Sequence, residues 1–127
     1  MVTVTILIVD DEAPIRAFVT EILEDEGYRV AGANNGLAAL AYLRGHTKQP
    51  GLILLDLGMP VMSGWEFREE QQRDPRLAGI PVIVMSALPN LDQRAAALNA
   101  ADCLDKPIEL DTLLRMVAQH YVKEFSQ

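Results

Sequence analysis

The sequence predicts an α/β fold in three layers, a doubly wound parallel sheet with helices on both faces. Three observations carry that reading. Apolar runs of strand length alternate five times with segments of helical period across the 127 residues. Those runs, of which LILLD at Leu52–Asp56 is the clearest, are continuous rather than alternating, the pattern of strands buried on both faces. The connections are short, and parallel strands so joined need crossover helices, almost always right-handed.

The first strand is expected over Val4–Asp11 (VTILIVDD) and runs into acids. In the helix that follows, APIRAFVTEILEDEG, Ile15, Phe18, Val19, Ile22 and Leu23 recur at helical spacing and form its inward stripe. Pro14 suits the first turn and Gly27 the stop. YRVAGA is a short second strand. NGLAALAYLRG is a second helix with Leu37, Leu40, Ala41 and Leu43 inward. GLILLD is the third strand, and SGWEFREEQQRD a third helix with a strongly charged face. IPVIVMSA is the fourth strand, NLDQRAAALNA an alanine-rich fourth helix, and DCLDKP a short fifth strand. IELDTLLRMVAQHYVKEF closes the chain as a helix to Phe125, with Leu110, Leu113, Leu114, Val117 and Tyr121 on one stripe. No linker or repeat interrupts the pattern, so residues 1–127 are expected to form one domain.

Composition narrows the function before any motif is considered. The net charge of -7 argues against direct binding to nucleic acid or to anionic membrane. A single cysteine permits no internal disulfide and points to a reducing, cytoplasmic compartment. No apolar run approaches the ~20 residues that span a bilayer, and the N-terminus lacks the basic start of a signal peptide. One cysteine with His46 and His120 cannot build a structural zinc site, so any metal would be a hard cation on oxygen ligands. Both histidines read as solvated surface residues, Cys103 as a small buried hydrophobe and Trp65 as packing.

The reactive side chains gather where the predicted strands end. The first ends in Asp10, Asp11 and Glu12, the third in Asp56, the fourth in Ser86 and the fifth near Lys106, followed by Pro107. Open α/β sheets bind ligands outside the carboxyl ends of their strands, where strand order reverses. With strand order 2-1-3-4-5 that place lies between the first and third strands. The acids then converge there, with Ser86 and Lys106 beside them. Clustered carboxylates repel one another and invite a cation. Oxygen ligands in small number suit Mg²⁺, which keeps several waters and is commonly shared with a phosphate. A carboxylate can also act as a nucleophile and form an aspartyl phosphate. Lysine offers a point charge to a phosphoryl oxygen, and serine a hydrogen bond. Phosphoryl transfer rests on positioning and charge neutralisation, and these parts supply both. Singly, each residue has a plainer reading as a cap, a turn residue or a surface lysine. The case is joint.

Four motifs, ILIVDDE (Ile6–Glu12), LLDLGMPVMSG (Leu54–Gly64), VIVMSA (Val82–Ala87) and DKP (Asp105–Pro107), resemble in order and spacing the receiver domain of two-component response regulators. The resemblance covers essentially the whole chain. It implies a flavodoxin-like (βα)5 fold with a parallel five-stranded sheet in the order 2-1-3-4-5. It implies that Asp56 accepts a phosphoryl group from a phosphohistidine on a sensor histidine kinase or phosphotransfer protein. Mg²⁺, with Mn²⁺ as a substitute, would be held by Asp10, Asp11, Asp56 and the backbone carbonyl of Gly58, Asp10 acting mainly through water. Ser86 would bond the phosphoryl group and Lys106 would pair with it. Pro107 would follow a cis peptide bond. The output implied is a population shift in the face of helix four, strand five and helix five, which controls a downstream protein partner, with homodimerisation on phosphorylation as one form of it. Such a domain is not a turnover enzyme; it catalyses only its own phosphorylation and dephosphorylation.

Two departures from the family matter. Where an aromatic usually stands, three residues before the lysine, the chain has Cys103, which can make no comparable rotamer swing. Gly58 and Leu88, two past Asp56 and two past Ser86, carry no group to help an attacking water, which favours a longer-lived phosphoaspartate. A haloacid-dehalogenase-type phosphatase would need a D-x-D pair on the first strand, and here the acids are adjacent. A degenerate receiver that serves only as a phosphorylation-independent docking domain is the alternative, against which the intact acids, Ser86 and Lys106 argue. Leu88, Leu91 and Ala95–Ala97 offer a candidate docking face, beside the plainer reading of a good helix former. With no output segment after the last helix, action by protein–protein contact is expected, either as a free-standing regulator or as a receiver within a longer one.

Overall fold

The computed structural model describes residues 5–122. In chain order it contains β1 (Thr5–Val9), α1 (Ala13–Asp25), β2 (Arg29–Ala33), α2 (Gly36–Arg44), β3 (Leu52–Asp56), α3 (Gly64–Arg73), β4 (Val82–Ser86), α4 (Leu91–Ala97), β5 (Asp102–Asp105) and α5 (Leu110–His120). The strands form one parallel sheet in the order β2-β1-β3-β4-β5, as the alternation of elements predicts. Every position of β3 and β4 is buried, whereas the edge strand β2 is half exposed. This is the burial that continuous apolar runs demand of central parallel strands.

Side-chain alternation divides the core in two. Leu7, Val9, Ile53, Leu55, Val82 and Val84 meet Ala39, Leu40 and Leu43 of α2, Phe67 of α3, and Leu91 and Ala95 of α4. Ile6, Ile8, Leu52, Leu54, Ile83 and Met85 meet Val19 and Leu23 of α1 and Leu113 and Val117 of α5. Helix ends are specified locally. Pro14 stands in the first turn of α1, and Gly27, at φ +96°, turns the chain after it. The Asn35 side chain accepts the Ala38 N–H at the start of α2. Ser63 and Glu66 form a reciprocal capping box on α3.

Several helix faces differ from the periodic reading. Phe18 is 47% exposed, because α1 buries Val19 and Leu23 and Phe18 lies off the edge of that stripe. Leu37 and Ala41 face outward; the inward stripe of α2 is Gly36, Ala39, Leu40 and Leu43. The reason is close packing. The Gly36 N–H donates to Met62 O at 3.1 Å, and a Cβ on Gly36 would meet Met62 Cγ at 2.7 Å. Leu110 is exposed where α5 begins, while Leu113 and Val117 turn inward. Leu91 and Ala95 belong to the core, which reduces the candidate docking face to Leu88, Ala96 and Ala97. Asp10 and Asp11 lie beyond the end of β1. Val4 of the expected first strand and Lys123–Phe125 of the expected last helix lie outside the described residues. No described helix is long and apolar enough to cross a membrane.

Candidate phosphoryl site

β1 and β3 pair with Val9 opposite Leu55, which sets Asp10 level with Asp56 at the carboxyl ends of the two central strands. Strand order reverses here, and this is where such sheets open a crevice. Asp10 is fully buried and fixed by its own turn. Its N–H donates to Ala33 O at 3.0 Å, and its Oδ1 accepts the Glu12 N–H at 2.9 Å. Arg16 Nη1 donates to its carbonyl at 2.7 Å. Asp56 is 5% exposed, and Asp11 stands in solvent. Oxygen atoms of Asp10, Asp11 and Asp56 all lie within 4.8 Å of one another.

Lys106 reaches into this cluster from the end of β5. Its N–H donates to Ser86 O at 3.0 Å, and the Lys106–Pro107 peptide is cis, as the family resemblance implies. Nζ stands 2.9 Å from Asp10 Oδ2, 3.4 Å from Asp56 Oδ1 and 3.5 Å from Glu12 Oε1. Ser86 is buried at the end of β4, and its Oγ accepts the Leu88 N–H at 2.9 Å, which leaves the hydroxyl proton free to be donated. The structure thus brings Asp10, Asp11, Asp56 and Lys106 together, with Ser86 joined to Lys106 through the backbone. Gly58 lies in the adjoining loop, where a Cβ would meet nothing within 4 Å.

Three carboxylates meet one ammonium, with Asp11 beside them, and the imbalance shows in the titration of the site. Burial pushes the Asp56 carboxyl up to about 6, and the charge of Asp10 adds to the rise; Lys106 and the Gly58 N–H oppose it. For Lys106, burial alone would lower the pKa. The hydrogen bond to Asp10 and the charges of Asp56, Asp10 and Glu12 outweigh it, and the net shift is upward. Asp56 is therefore a carboxylate held ionised against its surroundings. The donor set is oxygen only, compact and excess in negative charge, which fits Mg²⁺ and not a soft metal.

Glu12, the third acid at the end of the first strand, touches Lys106. One contributor escapes a reading by strand ends alone. Gly64 packs its Cα against the back of Asp56: a Cβ there would come within 2.4 Å of Asp56 O and 2.8 Å of Leu57 Cα. Cys103 is half-buried on the α2–α4 side of the sheet, and its thiol is pushed up by burial and then by Asp102, Asp105 and Asp92, as befits a packing residue. His46 is solvated and stacks on Tyr42 with ring centroids 4.1 Å apart. His120, expected in solvent, instead pairs its Nε2 with Asp102 Oδ2 at 2.9 Å.

Comparison with known proteins agrees with this geometry. Residues 6–118 match the family described as the response regulator receiver domain, and the chain belongs to that family. It is 40% identical over 109 residues to the phosphate regulon transcriptional regulatory protein PhoB of Pseudomonas aeruginosa, covering 84% of this chain and 47% of that protein. The chain thus spans about half the length of that relative. The Vibrio cholerae chemotaxis protein CheY4 superimposes with a TM-score of 0.83 at 31% identity, covering 93% of this chain and 98% of that one. TrrA of Thermotoga maritima, solved in complex with Mg²⁺–BeF, superimposes with a TM-score of 0.81 at 29% identity, covering 92% of this chain and 98% of that one.

Proposed function

We propose that Asp56 is the phosphoacceptor of this receiver domain, in a Mg²⁺-dependent phosphorelay from a phosphohistidine of a sensor kinase or phosphotransfer protein. The observation that supports it most directly is the meeting of Asp10, Asp11, Asp56 and Lys106 at the switch point of the sheet. An Asp56 Oδ attacks the phosphorus in line, the O–P bond forms, and the N–P bond breaks with its electron pair going to the departing imidazole. The Lys106 ammonium moves from the carboxylates to a phosphoryl oxygen, and the Ser86 hydroxyl donates to another. Asp10, Asp11, Asp56 and the Gly58 carbonyl would hold Mg²⁺, with Mn²⁺ able to substitute. When bound, the ion neutralises charge on the carboxylates and on the transferring group. The Mg²⁺–BeF complex of the TrrA relative is in keeping with that donor set.

Phosphorylation then shifts the population of the α4–β5–α5 face towards a form that binds a downstream protein. Residues 1–127 act in this as one receiver domain. Amide spectra with Mg²⁺ and beryllofluoride test the reading. Saturable shifts at Asp56, Ser86 and Lys106 that need both components are expected. Unchanged spectra at saturating reagent would overturn the phosphoacceptor role and favour docking without phosphorylation.

A further inference from the structure

Arg16 takes no part in the chemistry above, yet it touches the framework of the site. It stands near the start of α1, and side chains on a helix lean towards its N-terminus. Arg16 is thereby carried back over the β1–α1 turn, where its Nη1 donates to Asp10 O at 2.7 Å. The placement runs against local preference. A cation near a helix N-terminus opposes the dipole, and α1 has neither an acid in its first turn nor a side-chain cap at Glu12 to offset it. Positions where local rules are broken in this way tend to be functional ones.

Three bonds fix Asp10 in its turn. Its N–H goes to Ala33 O of β2, its Oδ1 takes the Glu12 N–H, and its carbonyl takes Arg16. Asp11, exposed beside it, takes none of these bonds and depends on the turn that carries it. Arg16 reaches Asp10 by way of Gly32 on the edge strand β2. A Cβ on Gly32 would stand 3.7 Å from Arg16 Cδ and 3.9 Å from its Nε. That is ordinary contact for a methyl group, but a branched side chain there must push the arginine stem aside. Gly32, Ala13, Ala17 and Thr20 line an open groove beside the stem. Glycine weakens a strand, and its use in one often marks a close approach of this kind.

We infer that Arg16 is a positioning residue for the Mg²⁺ site: laid across Gly32, it clamps the Asp10 carbonyl and holds the Asp10–Asp11 turn in its ligating arrangement. The inference rests on the receiver reading above, because the ion is the one proposed there, and it deepens that reading by assigning the support of the donor set to α1 and β2. Arg16 touches neither the ion nor a reacting atom. Groups that orient metal ligands from behind typically change affinity 10–100-fold when removed, and a bond to the main chain belongs at the low end of that range. The charge of Arg16 acts the other way, since removing a cation favours binding of another. High salt separates the two effects, because screening in 1 M KCl confines the charge to about 3 Å.

Mg²⁺ titration of the full chain in 1 M KCl, followed by amide NMR, tests the clamp. Arg16→Met should bind the ion about tenfold more weakly than the wild type, and Arg16→Lys, which keeps the charge and a donor on a shorter arm, should fall between. Gly32→Val should reproduce the loss with Arg16 still present, whereas Gly32→Ala should stay within about twofold of the wild type. Arg16→Met combined with Gly32→Val should be no worse than Arg16→Met alone, since both break one contact. Without metal, the Asp10 amide should exchange about tenfold faster in Arg16→Met relative to that of Leu54 on β3, which a general loss of stability would not produce. Wild-type affinity in Arg16→Met or in Gly32→Val overturns the clamp, and so does an equal loss in Gly32→Ala, which would place the effect in the strand. Should Arg16→Met fail to fold, Gly32→Val against Gly32→Ala decides, valine being a favoured strand residue. A wild type that binds no Mg²⁺ overturns the metal reading itself, a result distinct from binding that the variants leave unchanged, and the metal-free exchange at Asp10 still decides whether Arg16 holds the turn.

Discussion

The Lys106 ammonium sits nearer to Asp10 than to Asp56, at 2.9 Å against 3.4 Å. The residue proposed to receive the phosphoryl group is therefore the less neutralised of the two buried acids. Its carboxyl is pushed up to about 6, first by burial and then by Asp10. In its resting form the site stores electrostatic repulsion that a cation and a phosphoryl group can relieve.

That repulsion makes stability depend on pH. A carboxyl whose folded pKa lies above its ordinary 3.8 binds its proton more tightly in the folded state. Its stabilising contribution is complete below about pH 4 and is lost as pH rises through about 6. A difference of two units corresponds to about 3 kcal/mol as an upper figure. Asp56→Asn, which is neutral throughout, should therefore be about 2 kcal/mol more stable than the wild type in urea at neutral pH without metal. The advantage should shrink on acidification and on adding Mg²⁺, which stabilises the wild type by binding its folded form.

Removing the cation should have the opposite effect. Lys106→Met leaves Asp10 and Asp56 buried without their counter-charge, and breaking a buried pair in this way costs on the order of 3 kcal/mol. Urea unfolding should show the loss at neutral pH, and an NMR titration should find the Asp56 carboxyl higher than in the wild type.

Gly64→Ala tests the backbone behind the site. Its Cβ would sit 2.4 Å from Asp56 O, closer than any relaxed contact allows. A loss of about 2–4 kcal/mol is expected, together with weaker Mg²⁺ binding because β3 and its carboxylate must shift. Unchanged stability and metal affinity would show that the strand end has room to move.

Strain is also stored in the loop beyond Gly58. Val61, at φ 70° and 75% exposed, is spanned by a bond from the Met62 N–H to Pro60 O at 2.8 Å, a γ-turn geometry that β-branched residues resist. Glycine adopts it freely, so Val61→Gly should stabilise the fold by about 1 kcal/mol in chemical denaturation.

Strand order and the convergence of the acids were legible because both follow from the simplest signals. Continuous runs such as LILLD, five residues long and followed by Gly58 and Pro60, fit central strands, and the placement of Asp10 beside Asp56 needs nothing more than pairing in register. Sequence and structure differ where neighbours rather than periodicity decide orientation. Gly36 must face Met62, which rotates Leu37 and Ala41 outward. Arg68 and Gln71 lay within a segment that reads as a charged solvent face, yet both are buried, because carbonyls distant in sequence receive them. No local pattern announces a partner such as Asn99. His120 reads as a solvated residue in the sequence for the same reason, since Asp102 meets it only once β5 and α5 pack together.

Phosphorylation at Asp56 is the central claim, and intact-protein mass after incubation with acetyl phosphate tests it most directly. Wild type and Asp56→Asn are compared with Mg²⁺ and with a chelator. The account predicts a single phosphate adduct on the wild type that requires Mg²⁺, decays slowly, and is absent from Asp56→Asn. An adduct that persists in Asp56→Asn, or a wild type that stays unmodified with Mg²⁺ present, would contradict it.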